Sequence, residues 1–138
     1  VAVNVRTGEV RLDKFYALID CGTPINPELA LGQAYGASLR AIGHSLYEQI
    51  SYDEKGVPVP RDLASYGALK IGDLPRDFAA YLVQSDDKIG PYGAKSIGEL
   101  AVNGAAPAIA TAIHDACGIW LRKWHFSPEN VLKALGKI

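Results

Sequence analysis

The sequence FYALIDCGTPINP (residues 15–27) decides the fold, because it joins a buried strand to the start of a long helix. Its first seven residues are mostly apolar at consecutive positions, which is typical of a central strand covered on both faces. The next residues contain turn formers, and among them Asn26 suits the N-cap of a helix. Pro27 suits the first helical position, where no intrahelical N–H bond is needed. This stretch therefore predicts a strand that ends near Cys21 and a helix that begins at Pro27.

The predicted helix extends over residues 27–48 and carries Gly32, Gly36 and Gly43 on one side. A glycine inside a helix costs about 1 kcal/mol relative to alanine. The three glycines therefore indicate that another backbone or a ligand approaches this side of the helix closely. Gln33 lies on the same side, and it is either an ordinary exposed helix residue or a side chain whose amide hydrogen-bonds a ligand.

The rest of the chain predicts an α+β fold. Residues 1–21 read as a β-hairpin around a Thr7-Gly8 turn, and Ser127 is the expected cap of a short last helix. Further strands are expected at residues 49–53, 78–84 and 118–124, a second long helix at 99–117, and an extended surface excursion at 57–76. The element order ββ-α-β-β-α-β-α predicts a two-layer sandwich with a mixed β-sheet, two longer helices and a short C-terminal helix. Residues 1–138 are expected to form a single domain.

Composition excludes several classes of protein. Hydrophobic residues make up 49% of the 138 residues, and 14 basic residues stand against 15 acidic ones. We expect no nucleic-acid partner, because there is no basic excess. No apolar run is long enough to span a membrane and no signal peptide is visible, so a cytoplasmic location is expected. The chain has no methionine and opens directly into a strand pattern, and we expect it to be a fragment of a longer subunit.

Metal binding by histidine or cysteine is not expected. His44 and Glu48 have a metal-compatible spacing, but no third ligand accompanies them, and an exposed pair is the simpler interpretation. His114 lies in a packed helix, and Cys21 and Cys117 are too few for a zinc site. The two cysteines are expected to be free thiols, with one disulfide as the alternative.

A glycine-containing loop, GPYGAKSIGE (residues 90–99), leads directly into the second long helix. Such a loop exposes backbone N–H groups and suits an anion or an oxygen ligand. Its spacing does not match a nucleotide-binding P-loop. Glu99 has two interpretations at this stage: a carboxylate that stabilises the first turn of a helix, or a general base in a glycine-lined pocket.

Five segments in a fixed order resemble the C-terminal part of the molybdenum-binding subunit of molybdenum hydroxylases, the xanthine dehydrogenase and aldehyde oxidase family. They are DCGTPINP (20–27), GQAYGASLRAIGHSLYE (32–48), GAKSIGE (93–99), APAIATAIHDACG (106–118) and SPENVL (127–132). The resemblance covers nearly the whole chain. It implies a molybdenum cofactor-binding domain that contributes to the hydroxylation of a purine, another N-heterocycle or an aldehyde, with water as the oxygen source.

The resemblance also assigns roles to individual residues. It implies that Glu99 is the general base, that Gln33 contacts the molybdopterin and that the backbone of Ile97 lines the site. It further implies three pocket-lining positions, namely Lys95, Ser96 and Gly98. The implied cofactor is molybdopterin-bound molybdenum. The implied partners are the remainder of the molybdenum subunit and iron–sulfur clusters, with or without FAD, on other domains or subunits.

One departure from the family pattern leaves the substrate class open. Many xanthine and aldehyde enzymes of the family have Pro-Pro after the glutamate, whereas this chain has Leu100-Ala101. Because the family binds most of its cofactor through upstream segments, the chain alone is expected to hold no molybdenum firmly and to show no turnover. The alternative hypothesis is a standalone, non-catalytic binding or assembly module with the same fold.

Overall fold

Strand β3 (Lys14–Asp20) and helix α1 (Pro27–Leu46) stand at the centre of the structure, a computed structural model that describes all 138 residues. The helix begins where the sequence predicts, because the Asn26 side chain accepts a hydrogen bond from the Leu29 N–H at 3.1 Å. Such caps satisfy N–H groups that have no partner inside the helix. The predicted strand-to-helix connection is therefore confirmed.

The strands form two separate pairs. Strand β1 (Ala2–Val3) pairs with β2 (Val10–Arg11) in antiparallel orientation, which confirms the predicted hairpin. Strand β3 pairs in parallel with β4 (Asp77–Val83). The α+β class is confirmed, but the expectation of one mixed sheet is wrong, because the chain breaks at Leu12 and Asp13 between β2 and β3.

The C-terminal half is mostly helical, and one predicted helix is interrupted. Residues 99–117 form a short α3 (Leu100–Asn103) and a longer α4 (Ala105–Cys117) instead of one helix. Pro107 explains the break, because proline has no N–H and its ring clashes with the carbonyl four residues earlier, that of Asn103. The last helix, α5 (Pro128–Ala134), is capped by Ser127 as predicted.

Three predictions for the surface segments are wrong. Residues 49–53 form only an isolated bridge between Tyr52 and Pro58, and residues 118–124 form no strand. The segment 57–76 is not simply extended, since it contains helix α2 (Leu63–Tyr66) and a 3₁₀ turn at Ile71–Asp73. Residues 51–53 pair only with residues 57–59, through two backbone hydrogen bonds, and no strand lies beside residues 118–124, so neither segment joins an extended ladder.

Two hydrophobic clusters meet along α1. The larger cluster joins the C-terminal half of α1 to the hairpin, α4 and α5. It contains residues such as Ile42, Ile113 and Val131. The second cluster packs α1 on the β3–β4 pair and on α3. Five of its six members are alanines, namely Ala17, Ala34, Ala37, Ala80 and Ala101, and the sixth is Ile19. Small side chains let backbones approach closely, so this cluster brings α1 near the start of α3.

Candidate functional site

Backbone hydrogen bonds fasten the glycine loop to the end of β3. The Thr23 N–H donates to Gly93 O at 2.8 Å, and the Lys95 N–H donates to Cys21 O at 2.8 Å. Gly22 adopts φ +61° at this point, and a Cβ there would lie only 2.1 Å from Gly93 O. The close approach therefore requires glycine, and it fixes where the loop continues toward α3.

Beyond this attachment, the loop presents free backbone donors. The N–H groups of residues 96–99 donate no hydrogen bond to any acceptor in the chain. Ser96, Gly98 and Glu99 are exposed and Ile97 is half-buried. A row of free N–H groups is suited to oxygen atoms of a ligand, so the loop has the property that its sequence predicts.

Gln33 and Glu99 line a common cleft of about 240 Å³ between α1 and the start of α3. Gly32 and Gly36 form part of its wall, and a Cβ at either glycine would meet no atom within 4 Å. Gly98 also lines this cleft. The space beside α1 is therefore open to a ligand, as two of the three glycines suggest, and Gln33 and Glu99 face it together.

The third glycine has a different environment. A Cβ at Gly43 would lie 2.5 Å from Glu48 Oε1 and 3.4 Å from Leu69 Cβ. Glu48 itself accepts a hydrogen bond from the Tyr66 hydroxyl at 2.9 Å. Gly43 therefore allows close packing inside the chain, whereas Gly32 and Gly36 border open space.

A second cleft of about 210 Å³ begins on the other side of Gln33. Lys95 and Ile97 line it, together with Cys21, Asn26 and neighbouring residues. Of the six candidate site residues, Gln33 alone borders both clefts, Ile97 and Lys95 border the second, and Gly98 and Glu99 border the first. Ser96 lies between these groups in the loop but lines neither cleft.

Lys95 is engaged in an ion pair within the chain. Its Nζ donates to Asp20 Oδ2 at 2.7 Å, and Asp20 Oδ1 accepts from the Gly22 N–H at 3.0 Å and from the Ser85 hydroxyl at 2.8 Å. The bond from Lys95, followed by those from Gly22 and Ser85, lowers the pKa of Asp20 to about 2. The pKa of Lys95 is raised, mainly by the same bond. Lys95 thus helps to hold the loop.

Arg40 is a residue of the cleft that the sequence did not single out. Its guanidinium Nη1 donates to Glu99 Oε1 in an ion pair between α1 and the start of α3. Arg40 follows Gln33 by seven residues, or two helical turns, so both lie on the same side of α1. That spacing on the glycine-marked side is the signal that could have found it.

The histidines and cysteines form no metal centre. No group of three or more His, Cys, Asp or Glu residues comes together anywhere in the chain. His44 packs against Trp124 with the two rings tilted by 42°, and His114 stacks against Trp120 with ring centroids 4.1 Å apart. Both cysteines are free thiols. None of the helices combines the length and the apolar composition needed to cross a bilayer.

The fold defines a class of protein, because it recurs inside large redox enzymes. Quinoline 2-oxidoreductase from Pseudomonas putida 86 contains it with a TM-score of 0.87 and 30% sequence identity, over 98% of this chain and 17% of that one. The Cu,Mo-CO dehydrogenase contains it with a TM-score of 0.82 and 28% identity, over 98% and 18% of the two chains.

Curated relatives show similarity along the same length. The chain is 77% identical over 138 residues to the probable hypoxanthine oxidase XdhD of Escherichia coli K12. It is 33% identical over 136 residues to the aldehyde oxidoreductase molybdenum-binding subunit PaoC of the same organism. It spans only 14% and 19% of the lengths of these two relatives.

The model of the molybdopterin cofactor-binding domain family matches residues 1–75, more than half of the chain, and the chain belongs to this family. The resemblance to molybdenum hydroxylases is thereby confirmed. The matched range contains Gln33 but ends before the loop that carries Glu99. The roles of the individual site residues therefore depend on the geometry described above.

The residues of the cleft fit a molybdopterin. A pterin is a flat ring system with hydrogen-bonding groups along its edge. The side chain of Gln33 makes no hydrogen bond within the chain and offers both donors and an acceptor. The open space beside Gly32 and Gly36 admits a flat ring against α1, and the free N–H groups of residues 96–99 offer donors to oxygen atoms.

Proposed function

We propose that this chain forms the part of a molybdenum hydroxylase that binds molybdopterin through Gln33 and supplies Glu99 as the general base. The observation that carries the proposal is the common cleft of Gln33 and Glu99, two residues from distant parts of the sequence. Family membership supports a molybdopterin as the ligand of this cleft. The proposed reaction is hydroxylation of an electron-poor carbon, with water as the source of oxygen.

The proposed binding role belongs to Gln33 and the loop. The Gln33 amide would hydrogen-bond the pterin edge, and the backbone N–H groups of Ile97 and Gly98 would face oxygen atoms of the bound group. Lys95 and Ser96 complete the loop that presents these donors. When bound, the cofactor supplies the two-electron oxidation, which no side chain of this chain can perform.

The proposed chemical role belongs to Glu99. Its Oε1 accepts the hydrogen bond from Arg40, whereas its Oε2 has no partner in the chain. A free carboxylate oxygen can take the proton of the attacking water as the new carbon–oxygen bond forms. The side chain is 76% exposed here, so a reacting molecule can reach it.

The substrate and partners are proposed from the relatives. A purine is the favoured substrate class, because the relative with 77% identity is a probable hypoxanthine oxidase. An N-heterocycle or an aldehyde is the alternative, in view of quinoline 2-oxidoreductase and PaoC. We place residues 1–138 as one domain near the C-terminus of a longer cytoplasmic molybdenum subunit. It would work with iron–sulfur clusters, with or without FAD, on other domains or subunits.

The test is Glu99→Gln in the full-length protein that carries this chain. The amide keeps the size of the side chain but cannot accept the proton, so kcat for hypoxanthine is expected to fall by about 10²–10⁴-fold. Molybdenum content, measured by elemental analysis, is expected to stay at the unsubstituted level. Glu54→Gln is the matched control, because Glu54 is exposed in a surface turn and does not line the cleft.

The same measurements distinguish the proposed function from the alternative hypothesis. Turnover of Glu99→Gln within tenfold of the unsubstituted protein would refute the base assignment. Absence of molybdenum from the full-length protein, together with absence of turnover on purine, N-heterocycle and aldehyde substrates, would favour a non-catalytic binding or assembly module.

A further inference from the structure

Arg40 and Glu99 are the two charged side chains of the cleft that contains Gln33. The other residues along it are glycines, apolar residues and Gln33 itself. Arg40 Nη1 donates to Glu99 Oε1, and no other residue of the chain hydrogen-bonds the Glu99 carboxylate. The position of the carboxylate is therefore set by one contact, made from the opposite wall of the cleft.

Stability does not account for this ion pair. The side chains of Arg40 and Glu99 are 67% and 76% exposed. Exposed pairs contribute little to folding, because water screens them and two long side chains must be ordered. The pair also joins segments 59 residues apart in sequence, so it depends on the close packing of α1 against α3. The main consequence of the ion pair is therefore that it fixes the Glu99 carboxylate within the cleft.

The placement of Arg40 along α1 supports such an effect. Gln33 and Arg40 are separated by seven residues, which is roughly 10 Å along the helix axis. Gly36 lies between them and leaves the intervening space open. A molecule held by Gln33 at one end of the cleft therefore has the Arg40–Glu99 pair at the other end.

We infer that Arg40 is the positioning residue for Glu99: it holds Oε1 and leaves Oε2 directed to the reacting molecule. This inference rests on the proposed function, in which Glu99 is the base. Because the guanidinium has several donors in a fixed plane, it restrains the carboxylate in orientation as well as in position. Arg40 itself touches neither the cofactor nor the substrate in this role.

The experiment uses four variants of the full-length protein: Arg40→Met, Arg40→Lys, Glu99→Gln and the double variant Arg40→Met/Glu99→Gln. Steady-state kinetics with hypoxanthine would give kcat and KM separately, and elemental analysis would give molybdenum content. Crystal structures of the substrate-free unsubstituted and Arg40→Met proteins would locate the Glu99 carboxylate. Arg61→Met is the matched control, because Arg61 is exposed and forms no ion pair in the chain.

Arg40→Met is expected to lower kcat by about 10–100-fold through misplacement of the base, with KM and molybdenum content nearly unchanged. Arg40→Lys keeps a donor and is expected to recover much of the loss. In the double variant, kcat is expected to equal that of Glu99→Gln within about twofold, because a positioning residue has no effect once the base is absent. The Glu99 side chain is expected to occupy more than one position in the Arg40→Met crystal structure.

Several results would overturn the inference. If Arg40→Met keeps kcat while Glu99→Gln is inactive, Arg40 has no positioning role and the proposed function stands. If Arg40→Met raises KM at unchanged kcat, the guanidinium binds substrate instead. An unmoved Glu99 in the Arg40→Met crystal structure would also contradict it. If Glu99→Gln remains active, the proposed function itself fails. Failure of the proposed function is thus measured on Glu99→Gln, whereas failure of the inference is measured on Arg40→Met.

Discussion

At the scale of single residues, Asp20 organises the site without lining the cleft that holds Glu99. Its carboxylate accepts hydrogen bonds from Lys95, Gly22 and Ser85. These donors come from the glycine loop, from the turn after β3 and from the segment after β4. One carboxylate thereby connects the three segments that set where the loop enters the site.

The low pKa of Asp20 predicts how stability changes with pH. Its pKa is about 2 in the folded chain against a usual value of 3.8. A carboxyl whose pKa is lowered by folding stabilises the folded state above its unfolded pKa, and this contribution is lost as pH falls through the folded pKa. Asp20→Asn should therefore lower the melting temperature near pH 6. The difference from the unsubstituted chain should shrink as pH falls from about 4 to about 2.

Thermal unfolding followed by circular dichroism across this pH range would measure the effect. Asp86→Asn is the matched control, since Asp86 is exposed in the segment after β4, next to Ser85, and its side chain makes no hydrogen bond or ion pair in the chain. A difference between Asp20→Asn and the unsubstituted chain that stays constant down to pH 2 would show that the Lys95 contact does not stabilise the loop.

Sequence motifs predicted some residues of the site and missed others for a physical reason. Gln33 and Glu99 were candidates because each belongs to a local pattern, a glycine-marked helix side and a glycine loop before a helix. The resemblance to the family then assigned their roles. Arg40 and Asp20 act through contacts with residues 59 and 75 positions away. Such contacts depend on tertiary packing. Helical spacing could have placed Arg40 on the same side of α1 as Gln33, but it does not identify Glu99 as its partner.

At the scale of elements, α1 combines a helical conformation with glycines that a helix does not favour. Gly36 lies in the middle of α1, and a Cβ there would meet nothing within 4 Å. Gly36→Ala should therefore stabilise the folded chain by about 0.5–1 kcal/mol, as expected for helix interiors. In the full-length protein the added methyl group should lower molybdenum content, because it fills the space beside Gln33. Urea unfolding and elemental analysis would measure the two effects.

Gly43→Ala is the matched control within the same helix. A Cβ at this position would displace the Glu48 carboxylate, which accepts the Tyr66 hydroxyl hydrogen bond. The gain in helix propensity should therefore be offset, and molybdenum content should not change, because Gly43 does not line the cleft. If both variants are stabilised equally and keep full molybdenum content, the cleft beside Gly36 does not hold the cofactor.

Strands were harder to predict from the sequence than helix starts, because a strand also needs a neighbouring strand with which its backbone can pair. The sequence GIWLRKW (residues 118–124) predicted a strand, and residues 118–122 do alternate in burial, with Leu121 buried between the exposed Trp120 and Arg122. The segment nevertheless follows Gly118, which ends α4 with φ +76°, and no strand lies beside it. Helix starts were predicted more reliably at Asn26 and Ser127, because a capping side chain acts within its own turn.

At the scale of the whole molecule, the two hydrophobic clusters have different consequences. The larger cluster contains bulky side chains and joins the hairpin to α1, α4 and α5. The alanine-rich cluster brings α1 close to β3, β4 and α3, and both clefts that Gln33 borders lie along this part of α1. The site is therefore built on a closely packed region, while its polar side chains remain on the surface.

This exposure predicts the behaviour of the 138-residue chain by itself. Ligand sites usually bury most of the surface of the bound molecule, yet Gln33, Arg40 and Glu99 are all exposed here and the cleft is walled only by α1 and the segment at residues 98–102. Because the relatives are five to seven times longer, we expect other parts of a full-length protein to close the cleft. The chain produced alone should fold, as circular dichroism would verify, but elemental analysis should find no molybdenum above background, and hypoxanthine should not be turned over. The full-length protein from the same cells is the control. A folded 138-residue chain that retains near-stoichiometric molybdenum would contradict this prediction and would show that the cleft described here is sufficient for binding.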